Sequence, residues 1–191
     1  MESKELSNMR LKQVAVTNGL ILALIIILFT VINVFTIKFA HFFFVLGLLI
    51  LIQSIYGFIK RDSTKSFIPI FEKVAIYEKQ KMGNEWNKEK KGVNVWRLIL
   101  SGFLFFQSYM YRDFPYQTFE IDLIFGLVMV LFLIVFINVS LIFRFKRIDR
   151  STSEVDMEGY TKESNMIGGA FGILFTLVVF IIAIIYMISG T

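Results

Sequence analysis

Few residues in this chain could do chemistry, and they form no known catalytic pattern. The 191 residues include one histidine, His41, and no cysteine, which excludes thiolate catalysis, disulfides and any site that needs two histidines. The motifs His-Glu-x-x-His and Gly-x-Ser-x-Gly and the glycine-rich phosphate loops do not occur. Three acids, Asp113, Glu120 and Asp122, lie close together and could bind a cation or a basic peptide. We expect no cofactor and no metal, and we favour a non-enzymatic protein.

Uncharged polar residues inside apolar blocks are the next candidates for function: Asn33, Gln53, Gln107 and Asn138. At a helical rise of about 1.5 Å per residue, Gln53 and Asn138 lie about 6 and 7.5 Å from the midpoints of their blocks, towards the same side. We therefore predict a hydrogen-bonded amide pair between them. A ligand or ion path lined by the four residues is the alternative.

Two glycines near the carboxyl end have the spacing of a helix-packing motif. Gly168 and Gly172 form Gly-x-x-x-Gly, which lets two helix backbones approach closely. The sequence leaves open whether they would pack on another helix of this chain or on a second chain.

The elements that carry these residues are strongly apolar. The chain is 56% hydrophobic and 18% charged, against about 25% charged in an average soluble domain. A membrane-crossing helix needs about 20 apolar residues, because a charge at mid-bilayer is costly. We predict an all-α integral membrane protein whose five transmembrane helices span, approximately, residues 14–37, 39–59, 94–111, 121–143 and 166–188.

The third block is the shortest, because only 14 uncharged residues separate Arg97 from Arg112. As helix they reach about 21 Å, against a hydrocarbon core of about 30 Å. Val93, Val95 and Trp96 lengthen the block if the guanidinium of Arg97 extends to the lipid headgroups. The first block is expected to be a retained anchor, since its apolar region exceeds the 7–15 residues typical of a signal peptide.

The distribution of Lys and Arg predicts the orientation. Three precede the first span, ten lie between Lys60 and Arg97, and five follow the fourth span, so five crossings place 18 of the 20 on one side. Without the third crossing, the division is 14 to 6. Positive residues concentrate on the cytoplasmic side, so we predict a cytoplasmic amino terminus, an external carboxyl terminus and cytoplasmic loops at 60–93 and 144–165.

The first cytoplasmic loop is predicted to contain an amphipathic helix at about 69–82. Its apolar residues recur every three or four positions, whereas Glu72, Lys73, Glu78 and Lys79 fall away from that stripe. Three settings remain open: packing on the protein's own spans, contact with anionic lipid headgroups, or docking of a soluble partner. The residues of the stripe are Phe67, Ile70, Phe71, Val74 and Tyr77.

These observations lead to a functional expectation. The small size, the scarcity of chemical groups and the short external turns favour a multi-pass membrane accessory or immunity-type protein that acts through helix–helix contacts. The alternative is a small oligomeric transporter or channel subunit. The expected partners are the lipid bilayer and either another membrane protein or a second copy of the chain, not nucleic acid. The expected location is a cell membrane, and the composition favours the cytoplasmic membrane of a bacterium.

Overall fold

The structure is a computed structural model that describes residues 3–60, 62–113 and 123–189. Within these ranges the chain forms six α-helices, one short 3₁₀ turn and no β-strand, in agreement with the predicted all-α class. The helices are α1 (Ser3–Val34), α2 (Phe39–Ile59), α3 (Pro69–Met82), α4 (Asn84–Met110), α5 (Leu123–Arg150) and α6 (Tyr160–Ser189), and the 3₁₀ turn is Val155–Met157.

Three helical segments of the described chain are long and apolar enough to cross a membrane. They are Lys4–Ile32, Phe39–Ile59 and Gly126–Arg150, with mean hydropathies of 2.6, 2.3 and 2.8. Their large apolar side chains are mostly uncovered by the rest of the chain, and Leu24 and Ile26 of α1 remain 65% and 64% exposed. Apolar surface of this extent is typical of helices that face lipid. The three segments contain most of the predicted first, second and fourth spans.

Helices α2 and α4 pack against each other as an antiparallel pair. The approach is close at Gly47, where an added Cβ would lie 3.2 Å from the Phe105 ring and 3.3 Å from the Leu104 Cβ. Small residues at such crossings allow hydroxyl groups to reach the partner backbone. Three serine hydroxyls donate to carbonyls of α2 or α4: Ser108 to Ala40 at 2.8 Å, Ser101 to Gly47 at 3.1 Å and Ser54 to Asn94 at 2.8 Å.

Helices α1 and α5 also run antiparallel, but polar contacts join them. The amides of Asn18 and Asn138 exchange two hydrogen bonds, at 3.0 and 2.9 Å. About two turns away, Arg10 of α1 binds Asp149 of α5. These contacts fix the register of α1 against α5.

Helix α3 begins and ends at the residues expected from the sequence. Pro69 occupies the first helical position, where its missing N–H costs nothing. Gly83 ends the helix with φ of +52°, a conformation that glycine adopts without the penalty of a side chain, and its N–H donates to the Lys79 carbonyl.

The buried face of α3 differs from the predicted stripe. Val74, Glu78 and Met82 are its buried residues, so the prediction that Glu78 falls away from the packed face is wrong. Phe67 precedes the helix and is fully exposed. Of the three settings, packing on the protein's own helices agrees with these contacts, because α3 contacts α1, α4 and α5.

The helices extend beyond the predicted spans at their charged ends. Helix α1 already begins at Ser3, α4 at Asn84 and α6 at Tyr160, while α5 continues to Arg150. Ion pairs connect the extensions of α1, α4 and α5 with α3. Residues 121–122 of the predicted fourth span lie outside the described ranges.

Candidate functional site

The charged helix ends meet in a set of ion pairs, which we call the arginine–carboxylate network. It consists of Arg10 from α1, Glu78 from α3, Glu89 from α4, and Arg144 and Asp149 from α5. Arg10 binds Glu78 at 2.7 Å and Asp149 at 2.6 Å. Arg144 binds the other oxygen of Glu78 at 2.7 Å and also pairs with Glu89. Glu78 therefore bridges the two arginines.

The centre of the network is shielded from solvent. The side chains of Arg10 and Glu78 are 8% and 6% exposed. The Arg10 guanidinium lies 4.3 Å from the centre of the Phe145 ring and 5.4 Å from that of Tyr77, as in cation–π contacts. Burial, together with the nearby Asp149 charge, raises the pKa of Tyr77 to about 12, so its hydroxyl stays neutral at physiological pH.

A small apolar cluster lies beside the network. It brings together residues from α3, α4, α5, the 3₁₀ turn and α6: Met82, Trp86, Ile148, Met157 and Tyr160. Lys79 and Lys90 hold their ammonium groups over the Trp86 ring, at 5.1 and 3.8 Å from its centre. The five elements therefore share a common core. The ion pairs of Arg10 connect α1 to two of these elements, α3 and α5.

Glu85 attaches the start of α6 to α4. Its carboxylate accepts hydrogen bonds from Lys88 Nζ at 2.6 Å and from the Thr161 N–H at 2.9 Å. These bonds, that to Lys88 foremost, lower the pKa of Glu85 to about 2.

This lowered pKa predicts a pH dependence. Ionised Glu85 favours the folded state above its unfolded pKa of about 4.3, and that contribution is lost as the pH falls towards about 2. We expect Glu85→Gln to lower the thermal unfolding midpoint in detergent at pH 7, and the difference from the unmodified chain to disappear near pH 2. A difference that is constant across this range would contradict the assignment.

The structure gives Asn138 a different partner from the predicted one. Its amide pairs with Asn18 and also donates to the Ile134 carbonyl at 2.8 Å, so the predicted pairing with Gln53 is wrong. Gln53 is exposed on α2, Gln107 is half-buried on α4, and the side chain of Asn33 lies outside the described part. Asn18 was overlooked, although it too is an amide within an apolar block.

The remaining candidates are not brought together. An added Cβ at Gly168 or Gly172 would meet no atom within 4 Å, so no described helix packs on this motif. His41 and Asp113 are exposed, while Glu120 and Asp122 lie outside the described residues. Within the described ranges, no group of three or more His, Asp or Glu is placed where it could hold a metal ion.

Within the residues that the structure describes, the chain is all-helical, three of its helices are long and apolar enough to span a membrane, and buried ion pairs join its charged helix ends. Comparison with protein-family models, with curated proteins and with solved structures gave no match.

Proposed function

We propose that this chain is a non-enzymatic accessory or immunity-type protein of a cell membrane, in keeping with the bacterial cytoplasmic membrane expected above. In this proposal it crosses the bilayer five times, with its amino terminus in the cytoplasm, and acts through contacts between its helices and a membrane partner.

The pairing of α2 and α4 supports a third crossing. Ser108 contacts the first turn of α2 and Asn94 contacts its last two turns, so residues 94–108 of α4 follow most of the length of α2. Helix α2 has 21 residues, or about 31 Å as helix, which matches a hydrocarbon core of about 30 Å. If α2 crosses, α4 crosses beside it.

The network supports the orientation. It gathers the start of α1, helix α3, the start of α4 and the end of α5 at one end of the bundle. If those helix ends share one side of the membrane, α1, α4 and α6 cross away from that side, and α2 and α5 cross back to it. This arrangement agrees with the 18 to 2 division of Lys and Arg, which favours the cytoplasm for the network.

The uncovered glycine face of α6 is the observation that carries the accessory role. Gly168, Gly169 and Gly172 have open space where a side chain would be, and Ile173 beside them is 67% exposed. In a bilayer, such small-residue faces allow a second helix to pack closely. Tyr160 in the apolar cluster and the contact of Thr161 with Glu85 anchor only the first turn of α6, which leaves this face available to a partner.

A photo-crosslinking experiment tests this role. A photoreactive residue at Gly172 is expected to form a discrete adduct with a different membrane protein in the native membrane. Gly102 on α4, which also has open space, is the matched control and should give no such adduct. Equal labelling from both positions would contradict the proposal, and an adduct of two copies of this chain would favour the oligomeric alternative.

That alternative, a small oligomeric transporter or channel subunit, has one observation in its favour. Gln53 exposes its amide on the apolar α2 helix. An amide at this depth is more stable when it has a hydrogen-bonding partner than when it faces hydrocarbon, and a second copy could supply that partner.

A further inference from the structure

A groove lies between α5 and α6, with Glu89 of α4 at its edge. Its volume is about 470 Å³, within the range of small-molecule sites, about 300–1,000 Å³. Along α5 its lining extends from Arg147 to Phe136, a distance of about 16 Å at the helical rise. The groove is charged at one end and apolar at the other.

The apolar end suits a hydrocarbon chain. Phe136, Val139 and Phe143 of α5 line it together with Ile167 and Gly168 of α6. These α5 residues belong to the segment Gly126–Arg150, which is long and apolar enough to cross a membrane. At that depth, lipid is the surrounding solvent, and the open space at Gly168 leaves room for an acyl chain.

The charged end carries equal numbers of cations and anions. Arg144 and Arg147 of α5 face Glu89 of α4 and Glu163 of α6. The pair of Arg144 with Glu89 belongs to the network. The Arg147–Glu163 pair, at 3.2 Å, has side chains 54% and 58% exposed, so it is weak and can exchange partners with a ligand.

We propose that this groove binds one acyl chain of a phospholipid whose headgroup carries both a phosphate and a primary ammonium, as in phosphatidylethanolamine. The phosphate binds Arg147 and the ammonium binds Glu163, so both charges of the exposed pair are again compensated. A phosphatidylglycerol headgroup leaves Glu163 unpaired beside a phosphate, and a choline headgroup has no N–H to donate to it. The inference rests on the proposed membrane placement of α5 and α6 but requires no protein partner.

Native mass spectrometry of the purified full chain in detergent tests the proposal. The chain is titrated separately with dioleoyl phosphatidylethanolamine, phosphatidylcholine and phosphatidylglycerol. We expect a one-to-one complex that favours phosphatidylethanolamine by about two- to fivefold, the range of an exposed ion pair. Glu163→Gln should abolish this preference, and Arg147→Gln should weaken retention of all three lipids. The matched control is the similarly exposed Lys73–Glu5 pair, where Lys73→Gln and Glu5→Gln should change nothing.

A second pair of variants tests the groove without touching its charges. Gly168→Leu places a side chain in the groove and should reduce lipid retention, whereas Gly169→Leu, also in open space but outside the lining, should not. Equal retention of the three lipids, preference for phosphatidylglycerol, or equal effects of the two leucines would overturn the proposal. Because no partner is present, these outcomes are independent of the crosslinking result at Gly172.

Discussion

Replacing Glu78 with glutamine is expected to lower the free energy of unfolding by about 3–5 kcal/mol, the cost of removing one partner from a buried ion pair. Glutamine keeps the shape of the side chain but removes the charge that Arg10 and Arg144 share. Both guanidinium groups would then be less well compensated where solvent is largely excluded. Denaturant unfolding of the purified chain in mild detergent, followed by helix content, measures this loss.

The control for this substitution is Glu5→Gln. Glu5 also pairs with a cation, Lys73 at 3.0 Å, but both side chains are more than half exposed. Exposed pairs contribute about 0–1 kcal/mol, so this variant should stay within that range of the unmodified chain. A Glu78→Gln protein as stable as the Glu5→Gln protein would show that the network does not hold the helix ends together.

Replacing Gly47 with leucine is expected to separate α2 from α4. A Cβ at this position is already within 3.2–3.3 Å of Phe105 and Leu104, so the further atoms of leucine require the helices to move apart. The Ser101 hydroxyl would then lose the Gly47 carbonyl to which it donates. Overpacking of this kind costs about 1–3 kcal/mol, measurable by the same unfolding assay.

The matched control for Gly47→Leu lies on the partner helix. Gly102 of α4 has no atom within 4 Å of an added Cβ, so Gly102→Leu leaves the α2–α4 contact intact. Since leucine is the better helix former, this variant is expected to be as stable as the unmodified chain or slightly more stable. Comparable destabilisation by both substitutions would contradict the packing described for α2 and α4.

The sequence predicts the elements because their signals are local. Pro69 and Gly83 mark the two ends of α3, and a spacing of three to four residues identifies it as a helix. Gaps between charges likewise locate the apolar segments, because each gap reflects the energetic cost of a charge in lipid.

The network could not be predicted in the same way. Glu78 looks like a solvent-facing charge until Arg10 and Arg144, 68 and 66 residues away along the chain, are brought against it. Glu78 lies four residues from both Val74 and Met82, and this spacing indicates that the three share one face of α3. A glutamate is rarely buried without a partner, so burial of Glu78 could be predicted only if its partners were known. The partner of Asn138 was missed for a similar reason, because depth in the membrane does not determine which helices are neighbours.

The most direct test of the account is the side of the membrane on which each connection lies. The chain contains no cysteine, so single cysteines at Ser153, Gln117 and Thr191 can be labelled in intact cells with a membrane-impermeant maleimide. Five crossings with a cytoplasmic network predict labelling at Gln117 and Thr191 without permeabilisation, and at Ser153 only after it. Protection of Gln117 in intact cells, or labelling of Ser153, would contradict the proposed path of the chain.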